Sequence, residues 1–264
     1  MVLASQLQNR TSAQTNTLPT PPSGYIWTTN TALTDEFKLA QLDQSKWTPA
    51  NPRWQGRVPS HYDIQNVTLT GGTLALRSSS SITNLAQLNN PTNDVWIGAA
   101  CISSKLPLAS YGYYEARVKA SKMSMTSSFW LQGAYSEIDV AELMGAAVND
   151  PTLNTYMPIN THYFPNGWAT DKSTPLNIKM ATGVADGYNT YAVWWKDQTN
   201  IWYYLNGSNV AKVVTSAPFA EPMYLYLDTE CFTWEGFPTF SSMKQAPTNT
   251  MYVDFVRAWT LVHQ

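Results

Sequence analysis

Charge is scarce in this chain: Asp, Glu, Lys and Arg make up 13% of its 264 residues, about half the share in an average globular domain. The balance is a net charge of −2, and no Lys/Arg cluster forms anywhere. The footprint needed to hold nucleic acid or an anionic membrane surface is missing. No apolar run approaches the roughly 18–20 residues that span a bilayer. The opening MVLASQLQNRTSAQTNTLPTPPSG also lacks the basic start and apolar stretch of a secretory signal, so an exported form would have lost its signal already.

Cysteine is equally sparse. Cys101 and Cys231 form either one disulfide in an oxidising compartment or two buried thiols, and their spacing leaves both open. Neither has a second Cys or His at ligand spacing, which excludes a zinc site, and His61, His162 and His263 are isolated from one another in sequence. Helical periodicity is missing too. Beyond Tyr25 no stretch sustains a 3.6-residue apolar repeat for three turns, and Pro and Gly recur throughout.

What remains is polar, uncharged and aromatic. Residues 1–22 end in PTPP and read as a flexible polar leader, leaving 23–264 as a single domain. From Tyr25 onward short alternating segments follow one another: VTLTGGTLALRS with a Gly-Gly turn, YGYYEARVKA, NTYAVWWKD, NIWYYLNGSNVAKVV and MYVDFVRAWTLV. Asn206-Gly207 is a hairpin signal, because a tight primed turn needs residues that accept positive φ. Many short strands joined by polar turns predict an all-β fold, a sandwich of two antiparallel sheets.

Against this background SEIDVAE, residues 136–142, stands out for placing Glu137, Asp139 and Glu142 among aliphatic residues. On a regular strand Glu137 and Asp139 share a face while Glu142, five positions after Glu137, points the other way. A β-bulge within Val140-Ala141 restores the parity and lines all three carboxylates on one face. Clustered carboxylates raise one another's pKa, which suits a pair with one member ionised and one protonated near neutral pH, the equipment of glycoside hydrolysis. Retention and inversion differ in carboxyl separation, and strand spacing leaves both open. A bare E-x-D-x-x-E also fits an exposed acidic strand edge or a metal-binding cluster. The apolar and aromatic flanks SSFWLQGAYS and LMG favour a core-like strand instead.

E-I-D-x-x-E after an F-W strand resembles the bulged active-site signature of glycoside hydrolase family 16, and DEF (35–37), YGYYEARVKA, SSFW, NTHYF (160–164) and the closing YVDFVRAWTLV agree with it across most of 25–262. WQGRVPS (54–60), NTHYF and DTECFTWEGFPT (228–239) are most similar to the members that cut red-algal galactans, the β-agarases, porphyranases and carrageenases. Ala141, where the family usually has an aliphatic residue, is a small departure. The resemblance implies a β-jelly-roll and a secreted or cell-surface, monomeric endo-hydrolase that retains configuration and cleaves β-1,4 linkages. It further implies Glu137 as nucleophile, Asp139 as the residue that holds and tunes it, and Glu142 as acid/base. No cofactor is required, although the family also implies a structural calcium, for which oxygens near Asp35, Glu36 and Asp254 supply hard ligands.

Sugars offer flat C–H faces to aromatic rings and hydroxyls to directed donors. Trp54, in the polar, Pro-flanked NPRWQGRVP, is expected to stack on substrate, and the fork of Arg57 suits a sugar hydroxyl, a sulfate or its own loop. The resemblance adds Trp130 beside the cleaved sugar, His162 facing the substrate, and Glu230 and Trp234 at the cleft. Trp194, Trp195 and Trp259 are assigned to the core, and Glu115 with Arg117 to a structural pair. Agarose or porphyran is the expected polymer. A κ-carrageenase-type hydrolase is the alternative, disfavoured by the few basic residues, and a carbohydrate-binding jelly roll without catalysis is a third reading, disfavoured by the intact carboxylate trio.

Overall fold

The structure, a computed structural model, describes residues 18–264. Among them there is no α-helix, only strands and short 3-10 turns. Two large sheets face each other. One runs in the order Ser208–Val214, Asn200–Leu205, Asn189–Trp195, Gly112–Lys119, Thr250–His263, Leu74–Arg77, Val67–Leu69, with Tyr25–Thr29 also paired to Thr250–His263. The other, named the catalytic sheet for the role expected of its SEIDVAE strand, runs Lys172–Ser173, Tyr156–Tyr163, Ser136–Met144, Thr126–Gln132, Tyr224–Asp228, Cys101–Ser104, Trp47–Thr48. Every pairing within the two sheets is antiparallel. The all-β sandwich is the one expected.

The turns follow the sequence chemistry. Asn206 and Gly207 take φ of 50° and 81°, and Gly71 and Gly72 take 60° and 73°, so both hairpins close through left-handed residues. Between the sheets lies one core, in which Phe129, Leu131, Ile138 and Leu143 of the catalytic sheet meet Tyr114, Val118, Val193 and Val256 of its partner. Each such side chain contributes about 1.5–3 kcal/mol by leaving water.

The bulge falls where the parity argument requires it. Phe129 pairs with Ala141 and the next residue, Trp130, with Asp139, so Val140 is the extra residue. Ile138, Val140, Ala141 and Leu143 all pack into the core while Glu137, Asp139 and Glu142 line the opposite face. Without the extra residue Glu142 would enter the core, where an unpaired carboxylate costs several kcal/mol.

Two expectations are revised. The leader of residues 1–22 lies outside the described residues up to position 17. Residues 18–22 are attached: Leu18 packs on an aromatic cluster and Trp27 Nε1 donates to Pro19 O at 2.7 Å. Glu115 and Arg117 do not pair with each other. Residues two apart on a strand share a face but are further apart than cross-strand neighbours, so Arg117 bonds Asp254 at 2.8 Å and Glu115 faces its register partner Arg257 at 3.9 Å. Of the two states left open for the cysteines, the structure shows the second: Cys101 and Cys231 are separate buried thiols, packed in different clusters.

The tryptophans divide. Trp195 lies in the central core, whereas Trp194 and Trp259 join Trp27, Tyr113, Trp202 and Tyr204 on the outer face of the non-catalytic sheet. Near it, the carboxylates considered for calcium have protein partners: Asp35 accepts from Phe37 N and Trp47 Nε1, Glu36 binds Arg257, and Asp254 binds Lys38 and Arg117.

Candidate active site

The outer face of the catalytic sheet carries a cleft of about 540 Å³, lined by Arg53, Trp54, Arg57, Ser128, Trp130, Gln132, Glu137, Asp139, Glu142, Trp168 and Glu230. Strand alternation builds its floor: Ser128, Trp130 and Gln132 are every second residue of their strand and stand opposite Glu142, Asp139 and Glu137. On the other side, His162 pairs with Glu137 and Asn160 with Asp139.

Each carboxylate thereby has its own surroundings. Gln132 Nε2 donates a short hydrogen bond to Glu137 Oε2. His162 Nε2 stands 3.3 Å from Asp139 Oδ2, and its Nδ1 lies 2.7 Å from Asp171 Oδ2. Among the described residues Glu142 has no comparable donor.

Burial, with the charges of Asp139 and Glu142 added, pushes Glu137 well above the usual carboxylate range, and burial with Asp139 and Glu230 pushes Glu142 up to about 8. Such closely placed groups release their protons in steps that belong to the set. The Gln132 donor favours the ionised form of Glu137 and offsets part of that rise, a donor that Glu142 lacks. For His162, burial alone would lower the pKa, but the hydrogen bonds and charges of Asp139 and Asp171 outweigh it and hold it at about 9.

A second polar network forms the cleft's other wall. Arg57 Nε donates to Glu230 Oε2 at 2.9 Å, and Tyr62 OH donates to Asp228, with Glu230 Oε1 at 3.3 Å. Burial and the neighbouring Glu230 charge push Asp228 well up. Arg57 also sits within 5.1–5.6 Å of the Phe232, Trp234 and Trp54 rings, while Arg53 lies 3.7 Å over the Tyr224 ring.

Of the residues singled out from sequence, Glu137, Asp139, Glu142, Trp54, Arg57, Trp130 and Glu230 line one cavity. Trp130 is stacked on Tyr226 at 4.2 Å and is only 5% exposed, so it is a wall of the cleft more than a free platform. His162 stands beneath the carboxylates, and Trp234, 57% exposed and stacked on Phe232, sits at the rim outside the cavity lining.

Sequence reasoning missed Arg53, Ser128, Gln132 and Trp168. Alternation from Trp130 already places Ser128 and Gln132 on its face, and Arg53 and Trp168 sit in the same kind of polar, Pro- or Gly-flanked loop that marked Trp54. Glu137, Asp139 and His162 bring ligand atoms within 4.8 Å of one another, the spacing of a cation site, but Asn160 Nδ2 already contacts His162 Nε2 at 2.9 Å.

A polar, aromatic-walled cleft over a bulged strand, with two buried glutamates on one face in unlike surroundings, is the machinery of a glycoside hydrolase. The family model described as "Beta-porphyranase A-D, GH16 domain" matches residues 27–261, and the chain belongs to this family 16 group. It is 31% identical to beta-porphyranase B of Phocaeicola plebeius, over 93% of this chain and 88% of that protein. It is also 31% identical to beta-porphyranase E of Zobellia galactanivorans, over 91% and 90%. The crystal structure of the beta-porphyranase BpGH16B from the human gut bacterium Bacteroides plebeius superposes with a TM-score of 0.80 at 32% identity, covering 93% of this chain and 96% of that one. The fold is shared more widely: beta-agarase A in complex with oligoagarose gives a TM-score of 0.81 at 18% identity, over 92% of this chain and 96% of that one.

Proposed function

We propose that the enzyme is a retaining endo-hydrolase of a red-algal galactan, with porphyran as its preferred polymer. The carrying observation is the bulge at Val140, which sets Glu137 and Glu142 on one face in unlike surroundings. Glu142, protonated below about 8, gives its proton to the glycosidic oxygen as a Glu137 oxygen bonds the anomeric carbon and the C–O bond breaks. In the second step Glu142, now a carboxylate, takes a proton from water. That water's oxygen attacks the same carbon and releases Glu137. Asp139 lies between the two glutamates in sequence and on the same face, where it holds charge against Glu137 and meets His162.

Porphyran is preferred to agarose because the relatives at 31% identity are named porphyranases and because two guanidinium groups line the cleft. Arg57 is bound to Glu230, whereas Arg53 is exposed, touches Tyr224 and has no carboxylate partner among the described residues, so its charge is not neutralised and suits an anionic sugar substituent. An enzyme acting on a polymer of this size works outside the cell. Among the described residues no helix is long and apolar enough to cross a membrane.

Reducing ends released from porphyran, agarose and κ-carrageenan test the substrate, and early NMR of the products tests the stereochemistry. The expected result is fastest release from porphyran with a β reducing end appearing first. An α end would overturn retention, and faster cleavage of κ-carrageenan would overturn the choice of polymer.

A further inference from the structure

Asp171 belongs to none of the groups that line the cleft, yet its carboxylate is the shortest contact that His162 makes, at 2.7 Å to Nδ1. It follows the 3-10 turn Trp168–Thr170, and its backbone N–H closes that turn on Trp168 O at 3.2 Å. The same short segment therefore supplies Trp168 to the cleft wall and a carboxylate to the histidine beneath it. The other Asp171 oxygen is buried and unpartnered, so the carboxylate is committed to the imidazole and not to solvent or backbone.

The far side of the ring faces the catalytic strand. Asn160 Oδ1 accepts from Thr161 N and Thr174 N, which fixes the amide with Nδ2 turned to His162 Nε2 at 2.9 Å. Asp139 Oδ2 stands 3.3 Å from the same nitrogen. Nε2 thus has two claimants: an amide donor that suits the neutral ring, and a carboxylate that suits the protonated one. Nδ1 has one partner, which suits both.

We propose that Asp171 is a positioning residue of the catalytic centre, acting through His162: it holds the proton on Nδ1 in either charge state, so that Nε2 alone gains or loses a proton against Asp139. An imidazole oriented in this way by a carboxylate on its remote nitrogen keeps one tautomer and one ring orientation. The groups facing His162 are Glu137, Asp139 and Glu142 from the catalytic strand and Asp171 from the turn. Three of the four sit on the catalytic side, and Asp171 is the only one that approaches from behind. Removing its charge lowers the pKa of His162 and frees the ring to exchange its nitrogens.

This inference rests on the double-displacement reading for its kinetic arm only. Imidazole nitrogen NMR of the whole protein reads His162 directly, whatever polymer is cleaved. In the parent protein the neutral ring is expected as the Nδ1–H tautomer, with a midpoint raised above an ordinary histidine. In Asp171→Asn the midpoint falls by about one unit, a tenfold change in proton affinity, and the tautomer signal becomes mixed. On substrate, Asp171→Asn lowers kcat more than it raises KM. In a His162→Gln background the same change has little further effect. Asp171→Glu, which keeps the charge, restores part of the loss. An unchanged His162 midpoint and tautomer in a folded Asp171→Asn protein overturns the proposal, as does an equal kcat loss with and without His162. Loss of galactan hydrolysis as the assigned activity would leave the NMR result standing.

Discussion

The sandwich has two outer faces, both rich in aromatic rings, and only one is a cleft. On the catalytic sheet Trp54, Trp130 and Trp168 stand among the buried carboxylates Glu137, Asp139, Glu142 and Glu230, and burial raises the proton affinity of the three glutamates. On the other sheet Trp27, Trp194, Trp202, Trp259, Tyr113 and Tyr204 pack edge-to-face or tilted against one another. Lys196 and Lys212 lie 4.0 and 4.3 Å over the Trp202 ring. Those rings pack on one another, and the two lysines cover the Trp202 end of the cluster. The catalytic rings instead border a cluster of buried carboxylates whose mutual repulsion, a stored cost, is offset only in part by Gln132, His162 and Arg57. Aromatic content thus marks neither face as functional; the buried like-charged groups do.

The sharpest way to break this contrast is to remove the nucleophile. Glu137→Gln should reduce turnover at least about a thousandfold, as loss of a covalent nucleophile does, while the fold is kept. Reducing-sugar release together with the melting temperature measures both. Residual activity near the parent level would remove Glu137 from the mechanism.

Glu142→Gln comes next, at about a hundredfold to ten-thousandfold, the usual contribution of a positioned proton donor. Substrates with an activated aryl leaving group should recover most, since they need little protonation. The pH profile carries a sign. The proposed mechanism uses protonated Glu142, so parent activity should fall as pH rises through about 8, and that limb should vanish in the variant. Stability runs in the same sense: a carboxyl whose folded pKa lies above its unfolded value binds its proton more tightly when folded. Its contribution is therefore fully present below the unfolded value and lost as pH climbs towards about 8. Glu142→Gln should for that reason melt a few degrees higher than the parent at pH 8, and equal melting would mean that the cleft stores no such cost.

Trp54→Ala tests the aromatic half of the cleft. Trp54 is 36% exposed and touches Tyr62 edge-on, so its ring is available to a sugar face. Losing one such contact, worth about 1 kcal/mol, should raise KM roughly fivefold with little change in melting. A large drop in melting temperature with KM unchanged would assign it to packing.

How far the sequence reached depended on whether a signal was local. Strand alternation and the Asn-Gly and Gly-Gly turns are set by adjacent residues, so the all-β sandwich and even the extra residue at Val140 were legible, the latter because Glu137 and Glu142 must share a face to act together. Tyr62, Asp228 and Asp171 were not. Tyr62 and Asp228 are 166 positions apart and meet only because Ser60–Tyr62 folds across the strand Tyr224–Asp228. Asp171 gives no sign in its own neighbourhood that it faces a histidine nine residues away. Trp54, Trp130 and Trp195 fell where the sequence put them, whereas Trp194 and Trp259 pack on an outer face and not between the sheets, because alternation assigns a residue to a face without saying what covers that face.

The smallest expected effect lies on the opposite face and is the control for the whole comparison. Trp202 is partly buried, stacks edge-on with Trp194 at 5.4 Å and carries two lysines over its ring. Removing it as Trp202→Ala takes away one aromatic contact and one or two cation–π contacts, each worth about 0.5–1.5 kcal/mol at a partly exposed site. The melting temperature should drop by about 2–4 °C per kcal/mol lost in a domain of this size. KM and kcat on the polymer should both stay at the parent values, because no carboxylate of the cleft touches that face. Paired with Trp54→Ala, the result is a crossed pattern: one tryptophan changes KM without melting, the other melting without KM. A rise in KM for Trp202→Ala on long polymer, absent on short oligosaccharides, would show that the second aromatic face also holds the chain and would end the distinction between the two.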